Sequence, residues 1–148
     1  FNLQANLKDG WKLIGTLGMA KVKSISSNKF IRNISGVIES NFDIGIFKED
    51  FLIKRDIISF RFKQDPRLEK ANITLNLPAG RTPGGEIRYS EMTTPIIPSG
   101  RELLFESLWS YENDYTKNSI TLTFIKDEGH IGRKSIDASI LFATKKFF

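Results

Sequence analysis

Apolar and polar residues alternate one for one along most of this chain. Ala71, Ile73, Leu75 and Leu77 interleave with Asn72, Thr74 and Asn76, and Ile120, Leu122 and Phe124 interleave with Thr121 and Thr123. Ile136, Ala138, Ile140 and Phe142 repeat the pattern near the C-terminus. Successive side chains of a strand point to opposite faces, so this period puts one face in a core and the other toward water. The expected fold class is all-β: an antiparallel barrel or two-sheet sandwich with at most one short helix, formed as a single domain over residues 1–148.

The punctuation predicts the elements. Phe1, Leu3, Ala5 and Leu7 give a first strand before an Asp9-Gly10 turn. Trp11 to Leu17 is a second, ended by Gly18, and Ala20 to Ile25 a third, closed by Asn28. Phe30 to Ile34 leads into Gly36, and Val37 to Glu39 continues to Phe42, Ile44 and Ile46. After a turn at Glu49-Asp50 come Phe51 to Ile53, then Ile58, Phe60 and Phe62 on one face. Gln64-Asp65-Pro66 reads as a stop, because proline removes a ladder donor. Pro78 to Gly85 reads as a long irregular segment and Pro95 to Gly100 as a second loop, with a short strand at Ile87 and Tyr89 between them. Ser99 to Tyr111 is the one helix expected. Ser99 and Glu102 have capping-box spacing, and Leu104–Leu108 and Phe105–Trp109 are i,i+4 pairs. Leu103, Phe105, Trp109 and Tyr111 also fit a period of two. Ile120 to Ile125, a turn through Gly129 and Gly132, and Ile136 to Thr144 form a final hairpin.

Composition narrows the chemistry. With 40% hydrophobic and 26% charged residues the chain is of ordinary globular make-up. It contains no cysteine, which removes disulfides, thiolate catalysis and thiolate metal sites together. His130 is the single histidine, expected as a solvated turn residue, and one imidazole builds neither a triad nor a multi-histidine metal site within a chain. The carboxylates Glu49, Asp50, Glu102, Glu106, Glu112, Asp114, Asp127 and Glu128 are scattered, and no phosphate-cradling glycine loop is present. No catalytic residue, metal ligand or cofactor is therefore assigned, and a non-enzymatic role is expected. Asn33-Ile34-Ser35 and Asn72-Ile73-Thr74 are acceptor triplets for glycosylation, the chain opens at Phe1 without a visible leader, and the compartment stays open. The strands expected here fall short of the roughly 9–11 residues of a membrane barrel.

A net charge of +5 favours an acidic partner or an anionic lipid surface. Phe60-Arg61-Phe62-Lys63, with Lys54, Arg55, Arg67 and Lys70 nearby, mixes aromatics and cations as nucleic-acid stacking platforms do. Phe60 and Phe62 share their face with Ile58, however, which makes them core and Arg61 the solvated side. Nucleic-acid binding accordingly ranks third.

Two segments resemble the plastid lipid-associated proteins, or fibrillins. The first is Asp9-Gly10-Trp11-Lys12-Leu13-Ile14-Gly15-Thr16, like the Gly, Trp and Leu-containing strand that begins the family's barrel. The second is Asp127-Glu128 with Ile131-Gly132-Arg133, followed by Leu141-Phe142, like the family's acidic pair, turn and last strand. Gly15 and Gly129-His130 depart from the family pattern, and the middle of the chain carries no such motif. The resemblance implies a lipocalin-like barrel that associates with lipids at membranes.

The leading expectation is thus a non-enzymatic β domain binding an apolar small molecule or a lipid surface. Its candidate lining residues are Trp11, Leu13, Phe42, Ile44, Phe60, Phe62, Leu75, Leu122, Phe124 and Phe142, which would otherwise fill a packed interior. The alternative is a structural or accessory subunit of a larger assembly, such as a capsid, a tail or the periphery of a membrane complex. It would meet other subunits through the N-terminal strand Phe1 to Leu7 and the aromatic tail Lys145-Lys146-Phe147-Phe148.

Overall fold

The computed structural model describes residues 1–26 and 30–147, and they are organised almost entirely as strands. The strands are β1 (Asn2–Asn6), β2 (Lys12–Ser26), β3 (Ile31–Glu49), β4 (Asp56–Arg81), β5 (Ile87–Pro95), β6 (Leu103–Glu112), β7 (Thr116–Lys126) and β8 (Ile136–Lys146). Two three-residue 3-10 turns, Lys8–Gly10 and Glu128–His130, are the only helical pieces among the described residues. All eight strands join one antiparallel sheet in the order β1-β2-β3-β4-β6-β7-β8, with β5 also paired to β4. The all-β antiparallel class is as the alternation implies; the sheet is single and open, neither closed on itself nor doubled.

The chain divides into two compact units. The first comprises Phe1–Gly18, Asn41–Pro66 and Ser99–Phe148, and the second Met19–Ser40 and Arg67–Pro98. In the second unit β4 and β5 pair from Asn72↔Pro95 to Arg81↔Ile87, with the Thr74 and Thr93 hydroxyls 3.0 Å apart across the ladder. Glu69 ties this unit together, accepting from Ser40 Oγ at 2.7 Å and from Arg67 at 2.7 Å.

Several sequence expectations need correction, each for a local reason. Residues 99–111 form no helix: Leu103–Glu112 is β6, paired with β4 from Asp56↔Tyr111 to Lys63↔Leu104 and with β7 along its whole length. Ladders on both sides outweigh the i,i+4 pairs, and the period-two reading of the same residues prevails. Gly18 does not end a strand, because β2 runs through it. A methyl there would lie 2.2 Å from Asn41 Oδ1, so glycine is present for close approach to β3. Gly36 (φ +63°) likewise interrupts nothing; it is absorbed within β3. Pro66 falls where β4 leaves β6, after Lys63, and before it takes up β5, at Asn72, so its missing N–H breaks no ladder bond to either strand. The irregular segment expected over 78–85 is strand as far as Arg81, with a register shift between Pro78 and Gly80. Phe51 to Ile53 is a turn rather than a strand. The closing position Asn28 lies outside the described residues. With these mergers seven of the eight strands have nine or more residues, so strand length does not argue against contact with lipid.

Candidate functional site: an open apolar sheet face

Register fixes which side chains share a face of the first unit. Phe62, Phe105, Phe124 and Ala138 form one cross-strand row over β4, β6, β7 and β8. Phe60, Ser107, Leu122 and Ile140 form the next row, and Ile58, Trp109, Ile120 and Phe142 the one after. Ring contacts carry the face sideways. Phe124 meets Phe105 with centroids 6.4 Å apart, Phe105 meets Phe60 at 6.4 Å, and Phe60 meets Trp11 at 6.4 Å. Phe42 joins through Phe62 at 5.2 Å. A methyl at Gly15 would sit 3.8 Å from Ile44 Cγ1 and from Leu3 Cβ, which puts Ile44 and the alternating Leu13 on this side as well.

Nine of the ten candidate lining residues therefore converge on one face: Trp11, Leu13, Phe42, Ile44, Phe60, Phe62, Leu122, Phe124 and Phe142. Leu75 does not join them. It belongs to the second unit, opposite Met92 of β5. Phe105, Trp109 and Ile140 also belong to the face and were missed as lining residues. For the first two, the helical reading of 99–111 hid a signal that their period of two carried.

The Phe51–Ile53 turn reaches only the Trp11 and Trp109 end of this face, through the Phe51–Trp11 ring contact at 5.9 Å and the bonds of Asp56; the rest stays open. Phe62 is 42% exposed, Phe124 44%, Ile140 62% and Phe142 70%. Among all described residues, Ala71 of the second unit is the one apolar side chain that is buried. Single domains normally bury such a face against a second layer, and here neither a packed interior nor a closed ligand cavity forms behind the aromatics. The face holds a shallow depression of about 170 Å³ bounded by Ile44, Ile46, Phe60, Phe62 and Phe105.

The opposite face of the unit is mixed, with Leu104, Leu108 and Leu141 among its polar residues, and it carries the cations. Arg61 donates from Nε to Asp43 Oδ1 at 2.8 Å and from its terminal nitrogen to Asp43 Oδ2, and Glu106 stands opposite Arg61 in the β4–β6 register. The hydrogen bond from Arg61 holds the Asp43 carboxyl below the usual range, against a smaller opposing effect of burial. The same bond raises Arg61. Lys63 pairs with Asp65 at 3.2 Å. Aromatics and cations of the 60–63 segment thus point to opposite faces, with the cations paired to carboxylates. A concave region of about 750 Å³ lies over β1 to β4, where Ile14, Phe47 and Phe60 line it together with Thr16, Asp43 and Arg61.

Two polar locks shape the rim. Asp56, fully buried, accepts from the N–H groups of Phe51 (2.6 Å), Leu52 (3.1 Å) and Ile53 (3.4 Å) and from Trp109 Nε1 (3.0 Å). Burial pushes its carboxyl up, but the bonds from Trp109 and the three amides together outweigh it and leave Asp56 lowered. Asp127, also buried, accepts from the N–H groups of Arg101 (2.8 Å) and Arg133 (2.9 Å). Beside it His130 is half-buried rather than solvated: its Nδ1 accepts from the Glu102 N–H at 2.7 Å, while Glu102 accepts from the Gly129 N–H at 2.6 Å. The second of the two segments quoted for a resemblance therefore has structural work in closing the β7–β8 turn on the approach to β6. No cluster of three metal-ligating side chains occurs among the described residues.

Comparison with protein-family models, curated proteins and solved structures gives no match. The functional reading rests on geometry.

Proposed function

We propose that this chain is a non-enzymatic β module of a protein assembly, and that its work is to be covered: the open apolar face of the first unit is where the same face of another copy of the chain supplies the missing second layer. One observation carries this reading. The face is continuous over five neighbouring strands from β3 to β8, yet its aromatic residues stay 40% exposed or more at Phe62, Phe105, Phe124 and Phe142. Contiguous apolar surface of this extent is uncommon on soluble monomers and marks interaction sites. The open sheet edge favours a protein partner over insertion into hydrocarbon, where unpaired backbone groups are not tolerated.

The test is sedimentation of the purified chain beside a variant carrying both F62S and F124S. The expected result is a wild type that assembles into larger particles than the variant does, with an unchanged far-ultraviolet spectrum in the variant. A wild type that stays monomeric at every concentration would overturn the reading. A second reading, an apolar ligand or lipid surface, draws on the shallow depression at Ile44, Ile46, Phe60, Phe62 and Phe105. Flotation of the monomer with anionic vesicles, abolished by the same two substitutions, would favour it.

A further inference from the structure

The outer edge of β8 is the longer of the two free sheet edges in the first unit. β8 ends the strand order and pairs only with β7, whereas the other edge, β1, has five residues. Every residue from Ile136 to Lys146 is exposed, including Ile140 (62%), Leu141 (63%) and Phe142 (70%), which lie on both faces of the strand. An edge this long, this apolar and without proline is what natural sheets avoid unless it is paired. The direction of its free backbone groups follows from one bond. Phe147 N–H donates to Tyr115 O at 2.8 Å, on the same register as Thr116↔Lys146. Odd-numbered residues of β8 therefore direct their amides to β7. Ile136, Ala138, Ile140, Phe142, Thr144 and Lys146 direct theirs outward.

We propose that β8 pairs antiparallel with β8 of a second copy of this chain, about a two-fold axis that sets Leu141 opposite its own counterpart. This deepens the assembly reading above and rests on it. The register satisfies the backbone, because outward-facing residues meet each other (Ile140 with Phe142, Ala138 with Thr144, Ile136 with Lys146) and form about a dozen hydrogen bonds. It also satisfies the charges. Asp137 meets the second copy's Lys145, and by symmetry the pair forms twice, each with both side chains on one face. Within the chain neither group is so served: Asp137 stands opposite Ile125, and Lys145 opposite the like charge of Lys117, with its Nζ over the Phe147 ring at 5.3 Å. The neighbouring symmetric registers are worse. Centring on Ile140 sets Lys146 against Lys134, and centring on Phe142 sets Asp137 against Phe147. Like charges directly opposite destabilise a pair, so charge selects the register while apolar contact and the ladder supply the attraction. The two apolar faces then lie on the same side of one continuous sheet.

The absence of cysteine makes the register directly testable on the full chain. In L141C the two introduced thiols face each other across a non-hydrogen-bonded pair, where Cα atoms about 4.5 Å apart fall within disulfide range. L141C is expected to oxidise to a covalent dimer, and S139C, which faces Ala143 of the second copy, is not. Sedimentation should show D137K weakening dimerisation roughly tenfold, K145D doing the same, and the double exchange D137K/K145D restoring it. An oligomer that is indifferent to D137K and does not cross-link through L141C would overturn the β8 pairing while leaving the assembly reading in place. A chain monomeric at every concentration would overturn both.

Discussion

Asp56 governs more structure than any other single side chain described. It gathers three successive backbone amides of the Phe51–Ile53 turn and the indole of Trp109, so it joins the β3–β4 connection to β6. D56A would leave these part-buried donors without their shared acceptor, and the expected result is a drop in the urea midpoint together with a changed indole signal from Trp109. The pH dependence follows from the direction of its shift. Asp56 is lowered in the folded state, so as pH falls the unfolded chain takes up its proton first. The stabilisation is complete above the ordinary carboxylate value of 3.8 and is lost as pH falls through the lower folded value. Asp43, lowered by Arg61, adds a contribution of the same sign. Acid titration of stability should therefore be steepest below the ordinary carboxylate range and shallower in D56N. Gly100 is a second case. A methyl there would lie 1.6 Å from Asp127 Oδ2, so G100A must expel the carboxylate from the Arg101 and Arg133 amides. The expected cost is about 2 kcal/mol in denaturant unfolding. Neither role was legible in the sequence, because an aspartate that serves backbone amides is chosen by the chain's path and not by any residue spacing.

Strands were legible where alternation was unbroken. The β7–β8 hairpin and β1 follow the pattern of their residues closely, and nine of the ten residues expected to line a ligand site or a packed interior share a sheet face that encloses neither. What alternation could not supply was continuity. Gly18, Gly36 and Pro66 read as ends, yet each sits inside a strand where the local pairing needs a small residue, tolerates a positive φ or spares the missing amide. Residues 103–112 obey two periods at once, and the two flanking ladders decided between them. Nor could alternation reveal that the apolar face would lack a cover, since a half-buried strand and a half-exposed one have the same pattern. The exposure makes a prediction at this scale. F142S in β8 and F124S in β7 remove side chains that are 70% and 44% exposed. In the dissociated chain F142S should shift unfolding free energy by no more than about 0.5 kcal/mol, where a buried phenylalanine would cost about 3–5 kcal/mol. F124S should fall between these limits. Both should reduce binding of a hydrophobic dye to the folded protein.

At the scale of the whole molecule, the balance of forces in the assembly distinguishes what drives it from what aligns it. The cross-chain Asp137–Lys145 pairs proposed for β8 are exposed, and exposed ion pairs contribute about 0–1 kcal/mol each. The apolar rows and the added ladder are the larger attraction. Added sodium chloride screens the pairs, with a Debye length of about 3 Å at molar strength, yet leaves apolar burial undiminished. Sodium sulfate goes further and strengthens burial, because it is excluded from the protein surface. Association measured by sedimentation should therefore survive high sodium chloride and tighten in sulfate, while D137K, whose defect is repulsion between like charges, should recover toward wild type as salt rises. Calorimetry of dissociation should show a positive heat-capacity change, the mark of apolar surface returning to water. An assembly that instead dissolves in moderate salt would be held by the +5 net charge and its counter-charges on a partner, and the apolar face would then need a different occupant.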